Sequence, residues 1–262
     1  MEPVRPEVLA FAEDPGAYVP PEPGDERVVN DRFSLTFSPG EHFWSTSVCR
    51  VRFSREGVRH GVADVRGLME ERGRREAVWT LGPSSTPDDV LERFLELGLE
   101  KESDDGSAIL TLTEPPVVRA GSVEVRVVAT YEDHLAAVEA AIEGFGFSEH
   151  DAEDERRRAA ETFEAERTGG NVARFLATLD GEPVATAHAT YSAFGAYVGG
   201  VATIPAARGR GAMSAVIAAA WTDCVRHGAP ALVCFGGAMS APILERLGFR
   251  PQGSVQHLID RP

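Results

Sequence analysis

Apolar residues recur along this chain with two periods, near two and near three and a half residues, and the switches between them mark out strands and helices. The second half is the clearer. Positions 122–129, SVEVRVVA, alternate and are rich in valine, which predicts a strand. Leu135, Val138, Ala141 and Ile142 then fall at helical spacing across 132–145, and Gly146 closes that helix. A strongly charged helix is expected over 149–167. Three strands follow at 172–179, 183–192 and 197–203, the first two joined through a turn at Asp180-Gly181. A helix running to about His227 sets Ile217, Trp221, Cys224 and Val225 on one face and stops at Gly228. A short apolar strand at 231–235, a helix at 240–247 ended by Gly248 and a strand at 254–259 complete the order β, α, α, β, β, β, α, β, α, β.

Between Asp31 and Pro116 the same reading gives strands near 33–37, 47–53, 77–81 and 109–113, with helices around 62–71 and 88–97. Mixed strands and helices with short turns make this a small α/β or α+β unit. Residues 1–30 hold Pro3, Pro6, Pro15, Pro20, Pro21 and Pro23. Proline at that density removes backbone donors, so an extended arm packed on the neighbouring domain is expected. Pro115-Pro116 breaks the pattern again and makes a natural boundary. The expected organisation is an arm at 1–30, a small α/β domain at 31–118 and a second domain at 119–262.

The 262 residues are 43% hydrophobic, enough for one large or two small cores. No apolar run approaches the roughly 18 residues a membrane-spanning helix needs, so a soluble chain with no membrane partner is expected. Asp and Glu number 41 against 26 Lys and Arg, a net charge of −15, and both halves are acidic. That argues against nucleic acid, whose binders cluster cations and gain affinity from counterion release. The cations are nearly all arginine, Lys101 being the only lysine. This reads as codon bias, since arginines serving phosphate contacts would cluster. Cys49, Cys224 and Cys234 are too few and scattered for a disulfide framework, and the first residues lack a secretory leader, so a cytoplasmic protein is expected. No His, Cys or carboxylate cluster has ligand spacing, and no metal is expected.

The stretch that carries chemistry is 201–214, VATIPAARGRGAMS: a strand, a proline that ends it, a glycine-bracketed turn with two arginines, and the start of a helix. Free N–H groups at the positive end of a helix suit an anion, and Gly209 and Gly211 let it approach the backbone closely. The GK[ST] ending of a P-loop is absent. The GxG is followed by Ala212, Met213 and Ser214 with no third glycine, so a dinucleotide fingerprint is also missing. Taken alone, the turn reads equally well as a solvated loop.

Together with the next strand and the SAPILERLGF segment beyond it, the turn resembles the GNAT acyl-CoA N-acyltransferases over about 122–259. The resemblance implies a mixed, mostly antiparallel central sheet flanked by helices. It also implies a loop signature, R/Q-x-x-G-x-G/A, that maps onto Arg208, Gly211 and Met213, with Met213 in place of Gly or Ala. Acetyl-CoA is the implied co-substrate. Its pyrophosphate would lie on the amides of Gly209, Arg210, Gly211, Ala212, Met213 and Ser214, with Arg208 and Arg210 adding charge, and its pantetheine arm along Val201, Ala202 and Thr203. Leu247-Gly248-Phe249 matches the family's LGF ending. The tyrosine that many members place just before it, to protonate the departing thiolate, is Leu244 here. Ser240 or a water would then supply that proton, with a helix N-cap as the competing reading of Ser240. His188, in ATAHATYS, and Tyr191 are candidates for taking the amine's proton, each against a reading in which it packs in the sheet.

Between Glu132 and Glu166 lie twelve acidic residues. An acidic rim at the acceptor pocket would steer a cationic amine. Arg156, Arg157, Arg158 and Arg167, interleaved as partners, support the competing reading of a solvated helix face. In the first half, AVWTLGPSSTPDDVLERFLELGL resembles the tail ALVCFGGAMSAPILERLGF without a cradle. A degenerate copy in tandem is one reading, an unrelated small domain the other. The chain thus reads as an N-acetyltransferase acting on a primary amine of a small molecule or peptide by direct attack in a ternary complex, as a monomer or homodimer. A non-catalytic acyl-CoA sensor is the alternative, motivated by Leu244 and the lack of an obvious base.

Overall fold

In the computed structural model, which describes residues 3–22, 24–40, 42–118 and 121–262, the first half runs α1 (Pro6–Glu13), α2 (Pro15–Tyr18), β1 (Glu26–Val29), β2 (Ser34–Phe37), β3 (Thr46–Cys49), α3 (Val58–Glu71), β4 (Ala77–Leu81), α4 (Val90–Glu96), β5 (Glu100–Lys101) and β6 (Ser107–Leu112). The second half runs β7 (Val123–Val127), α5 (Tyr131–Phe145), α6 (Glu149–Gly169), β8 (Val172–Leu179), β9 (Glu182–Ser192), β10 (Gly195–Thr203), α7 (Ala212–Arg226), β11 (Leu232–Gly236), α8 (Ala241–Arg246) and β12 (Arg250–Asp260). Every element expected in the second half forms, and α5 and α6 are capped by side chains that the sequence places at their starts. The Thr130 hydroxyl accepts the Asp133 N–H at 3.1 Å to start α5, Ser148 does the same for α6 through Asp151 at 3.2 Å, and Gly146 ends α5 in the left-handed region.

The first thirty residues are not an extended arm. α1 and α2 each open with a proline in the first turn, where the missing N–H and fixed φ cost nothing, and β1 follows. Pro23 lies outside the described residues. Val8, Phe11 and Ala12 of α1 are buried against Ile109, Val233 and Val255, so the segment covers one face of the sheet.

Among the described residues twelve strands form one sheet in the order β1-β2-β3-β4-β12-β6-β11-β10-β9-β8-β7, with β5 paired to β12. Ladder neighbours are antiparallel except β3 with β4 and β10 with β11, which are parallel and are bridged by α3 and α7. The two halves exchange their last strands. β6 of the first half lies between β11 and the start of β12, pairing Leu112 with Leu232 and Ile109 with Gly253. The end of β12 lies reciprocally between β4 and β5, pairing Gln256 with Leu81 and Leu258 with Lys101.

The cores follow the exchange. Leu110 and Leu112 of β6 are buried with Phe175, Ile217 and Leu232 beneath α7, and Leu258 of β12 is buried with Trp79 and Phe94 of the first half. Each such leucine contributes about 1.5–3 kcal/mol by leaving water, and here it does so in the other half's core. The domain boundary expected at 118/119 falls beside Arg119 and Ala120, which lie outside the described residues.

Candidate active site

β10 and β11 are parallel neighbours for only two residue pairs, Ala196 with Leu232 and Tyr197 with Val233, and then part. β10 continues to Thr203 bonded to β9 alone, so from Val198 onward its other edge presents unpaired backbone groups. The local cause is a bulge between Gly199 and Ala202, with Gly200 at φ +59, a conformation glycine adopts without strain. An open edge beside a diverging strand is a slot for an extended ligand that carries amides.

Past β10, one 3₁₀ turn at Pro205–Ala207 delivers the chain into Arg208-Gly209-Arg210-Gly211. Gly209 and Gly211 have φ of +77 and +88, and a Cβ at either would meet nothing within 4 Å, so the turn faces open space. Gly211 is the N-cap of α7 and lends it no side chain. A helical bond runs from the Ala215 N–H to the Gly211 carbonyl at 3.0 Å. The N–H groups of Ala212, Met213 and Ser214 are therefore left without intrahelical acceptors at the positive end of a 15-residue helix. Arg208 donates to the Gly144 carbonyl at 2.9 Å and the Thr203 carbonyl at 3.4 Å, pinning the turn to the end of α5. Arg210 reaches Asp180 at 3.7 Å, with both side chains exposed. Gly144 is what lets α5 come so close: a Cβ there would lie 2.9 Å from that of Ala202.

Residues 133–249, which contain this slot and turn, match the family model described as the acetyltransferase (GNAT) family. This segment is a GNAT acetyltransferase domain. The chain is similar in fold to a GCN5-related N-acetyltransferase from Kribbella flavida, at 22% identity over 97% of this chain and 96% of that one, with a TM-score of 0.74. A GCN5-related N-acetyltransferase from Sphaerobacter thermophilus matches at 17% identity over 90% and 82%, TM-score 0.60. A tandem GNAT protein from the clavulanic acid biosynthesis pathway matches at 14% identity over 97% and 93%, TM-score 0.58. No curated protein matches the chain in sequence. The mostly antiparallel sheet flanked by helices is thus the fold of the chain.

Within the GNAT domain, His188 stands on β9 opposite Gly199, and the bulge glycines give its ring room. A Cβ at Gly199 would lie 2.7 Å from His188 Nε2, and one at Gly200 2.8 Å from Nδ1. Burial, aided by the nearby charge of Arg174, holds the His188 pKa down to about 4, so the ring is neutral near pH 7. Arg174 in turn grips Glu166 of α6 through two contacts of 3.1 Å. Burial opposes ionisation of Glu166, but the hydrogen bonds and charge of Arg174 outweigh it and keep its pKa below the usual range. Ser240 precedes α8 without capping it: its hydroxyl bonds no first-turn N–H and lies 3.4 Å from the Gly237 carbonyl. Leu244 is buried in the core with Leu110. Tyr191 is no candidate base. It faces α7, donates to the Asp223 carboxylate and stacks on His227 at 4.2 Å, and burial followed by Asp223 pushes its pKa up.

Among the described residues, five of the twelve acidic residues on α5 and α6 have arginine partners: Asp133, Glu139, Asp154, Glu164 and Glu166. Among the described residues no three His, Cys, Asp or Glu side chains gather as a metal site, and no helix is long and apolar enough to cross a membrane.

The first half repeats the parallel strand pair but closes the gap beside it. Thr86 donates its N–H to the Val51 carbonyl at 3.1 Å and accepts from the Phe53 N–H at 3.2 Å, so Thr86 takes the place of a ligand on the edge that continues β3. Asp14 holds the Arg50 N–H at 2.8 Å and the Arg52 guanidinium at 3.3 Å. At the head of α3 a Cβ on Gly57 would strike Ser54 Oγ at 2.8 Å, where its counterpart Gly211 faces open space. Two residues joined through Phe235 of β11 to Tyr197 at the slot had no sequence signal, His257 and Trp44, because the exchanged strand β12 and a remote loop bring them there. For the bulge itself the signal was available, as two adjacent glycines inside a strand mark one.

Proposed function

We propose that the GNAT domain transfers an acetyl group from acetyl-CoA to the primary amine of a small molecule or peptide, by direct attack within a ternary complex. The observation that carries this reading is the continuity of an open β10 edge with a glycine turn and helix start where the N–H groups of Gly209, Gly211, Ala212, Met213 and Ser214 have no backbone acceptor among the described residues. One suits the amides of a pantetheine arm and the other a pyrophosphate. Val201, Ala202 and Thr203 would line the arm, and the amides of Gly209, Gly211, Ala212, Met213 and Ser214 would hold the phosphates; the Arg210 amide, expected among them, donates instead to the Ala207 carbonyl at 3.2 Å, which leaves Arg210 its side chain to offer. The Met213 side chain packs against the core, which leaves its amide at the turn. Arg210 has only a long, exposed pairing to give up, while Arg208 adds charge from its anchor on Gly144.

Acetyl-CoA supplies an activated thioester. In the transfer the amine nitrogen bonds to the acetyl carbon, the C–S bond breaks, and the proton the amine loses is balanced by the one the sulfur gains. His188, neutral and beside the bulge, is assigned to receive the amine's proton. The Ser240 hydroxyl, in the turn after β11, is assigned to the sulfur. Backbone N–H groups of the bulged strand would polarise the thioester carbonyl. The first half, with the same helix-bridged strand pair and a sealed slot, is read as a degenerate copy retained for the strands it lends.

Calorimetric titration with acetyl-CoA tests the reading. Binding is expected, with a loss of at least about tenfold in Gly211→Trp, whose ring would cover the free amides. Unchanged affinity in that variant refutes the cradle. Binding without thiol release across a panel of primary amines would favour the acyl-CoA sensor.

A further inference from the structure

A line of aromatic rings runs from the bulge across the sheet face, and part of it belongs to the first half. It starts at Tyr197, whose Cε1 lies 2.9 Å from the position of a Cβ on Gly199. Phe235 of β11 is 5.9 Å from Tyr197, His257 of β12 is 5.6 Å from Phe235, and Trp44 is 5.2 Å from His257, each pair edge to face. Trp44 belongs to a 3₁₀ turn, Phe43–Ser45, and His42 just before it stacks at 6.0 Å on Phe147 in the link between α5 and α6. Phe147 stacks on Phe145 at 5.7 Å. The loop that carries Trp44 is anchored, since Arg74 donates to the carbonyls of Gly40 and Ser38 at 2.5 and 2.6 Å.

Two features separate this seam from ordinary core. Trp44 is 41% exposed and Phe145 51%, so large ring faces are left open at its outer end. At its inner end lies a buried histidine. His257 is 5% exposed, with Nδ1 3.1 Å from the Thr80 hydroxyl of the first half and, among the described residues, no hydrogen-bond partner at Nε2. Burial keeps its ring neutral at pH 7. His42 Nδ1 accepts the Trp44 N–H at 3.3 Å. No ionised side chain takes part in these ring contacts.

We propose that the seam is the acceptor site, built jointly by the two halves, and that it takes a primary amine carried on an aromatic or flat apolar body, with His257 Nε2, positioned by Thr80, as a hydrogen-bonding group at its floor. This rests on the slot being the acetyl-CoA site, since the start of the seam at the bulge is what brings an amine to the thioester. Open ring faces reward a planar body, whereas a second ammonium or a carboxylate would be desolvated without a partner. Arg156, Arg158, Arg167 and Arg174 engage Glu139, Asp154, Glu164 and Glu166 on the acidic helices, and the putrescine arm of the test reads whether the other carboxylates there favour a dication.

The test is calorimetric titration of the CoA-saturated protein with 2-phenylethylamine and with putrescine. 2-Phenylethylamine should bind at least about tenfold more tightly, and Trp44→Ala should weaken it about five- to tenfold while acetyl-CoA affinity stays unchanged. Trp44→Phe should restore most of the loss. Thr80→Val should weaken binding and Thr80→Ser should keep it; equal behaviour of those two variants would remove the Thr80–His257 pair from the site. Equal affinity for the two amines, or parental affinity in Trp44→Ala, overturns the proposal. Failure of the parent protein to bind CoA would defeat the slot reading alone, because 2-phenylethylamine titrated into CoA-free protein still reports on the seam.

Discussion

Removing the Asp260 carboxylate asks whether the two halves stand as one folding unit. Asp260 is fully buried at the end of β12, the strand that crosses from the GNAT domain into the first-half sheet. It accepts three hydrogen bonds from Arg66 of α3 at 2.6–3.1 Å, and Arg66 also donates to the Leu97 carbonyl at 3.1 Å. Deleting one partner of a buried ion pair costs about 3–5 kcal/mol, most of it for the charge left behind. Arg66 is 28% exposed and keeps Leu97, so water recovers part of that cost, leaving about 2–3 kcal/mol for Asp260→Ala. In a chain of this size that lowers Tm by about 5–10 °C. Urea unfolding followed by tryptophan fluorescence and by far-UV circular dichroism gives the readout. Trp44 and Trp79 report on the first half and Trp221 on the second. A single coincident transition is expected in parent and variant, shifted to lower urea in the variant, because β6 and β12 each complete the other half's core. A loss below about 0.5 kcal/mol would refute the ion-pair reasoning, and two separate transitions would refute the coupling. Arg66→Met combined with Asp260→Leu should recover most of the loss, since an apolar pair strands no charge.

Tyr191→Phe strips a donor from the Asp223 carboxylate, which is 9% exposed, and should cost about 1–3 kcal/mol of stability with kcat unchanged; a fall in kcat would return Tyr191 to the chemistry. Ser240→Ala should lower kcat and leave acetyl-CoA affinity alone, and parental kcat would remove Ser240 from proton transfer. His257 has a folded pKa near 4, below its ordinary 6.5, so between those values the unfolded chain holds the extra proton. Its contribution, on the order of 3 kcal/mol, is complete above about pH 6.5 and is lost as pH falls towards 4. Urea midpoints between pH 4.5 and 7 should therefore rise less steeply in His257→Gln than in the parent, and equal slopes would refute the assignment. His188 shifts in the same direction.

Much of the GNAT domain was legible because its signals act over three or four positions. Thr130 and Ser148 start helices, Gly146 stops one, and the glycines of the turn before α7 leave the same amides free in any context that forms that helix. The resemblance to the family rested on this local wording. Proline density misled at α1 and α2, since a proline in the first turn starts a helix while one further in would break it. The side on which His188 lies depended on the register of β9 with β10, which a bulge resets and which no count along one strand reveals.

What only the tertiary structure decided is which strand lies beside which. β6 between β11 and β12, the sealing of the first-half gap by Thr86 and Asp14, and the meeting of Trp44 with His257 all join residues far apart in sequence. Each strand, taken alone, offers similar ladder hydrogen bonds to many partners. Burial of Leu110, Leu112 and Leu258 in the opposite half's core selects one pairing, and that energy exists only once both halves have folded together.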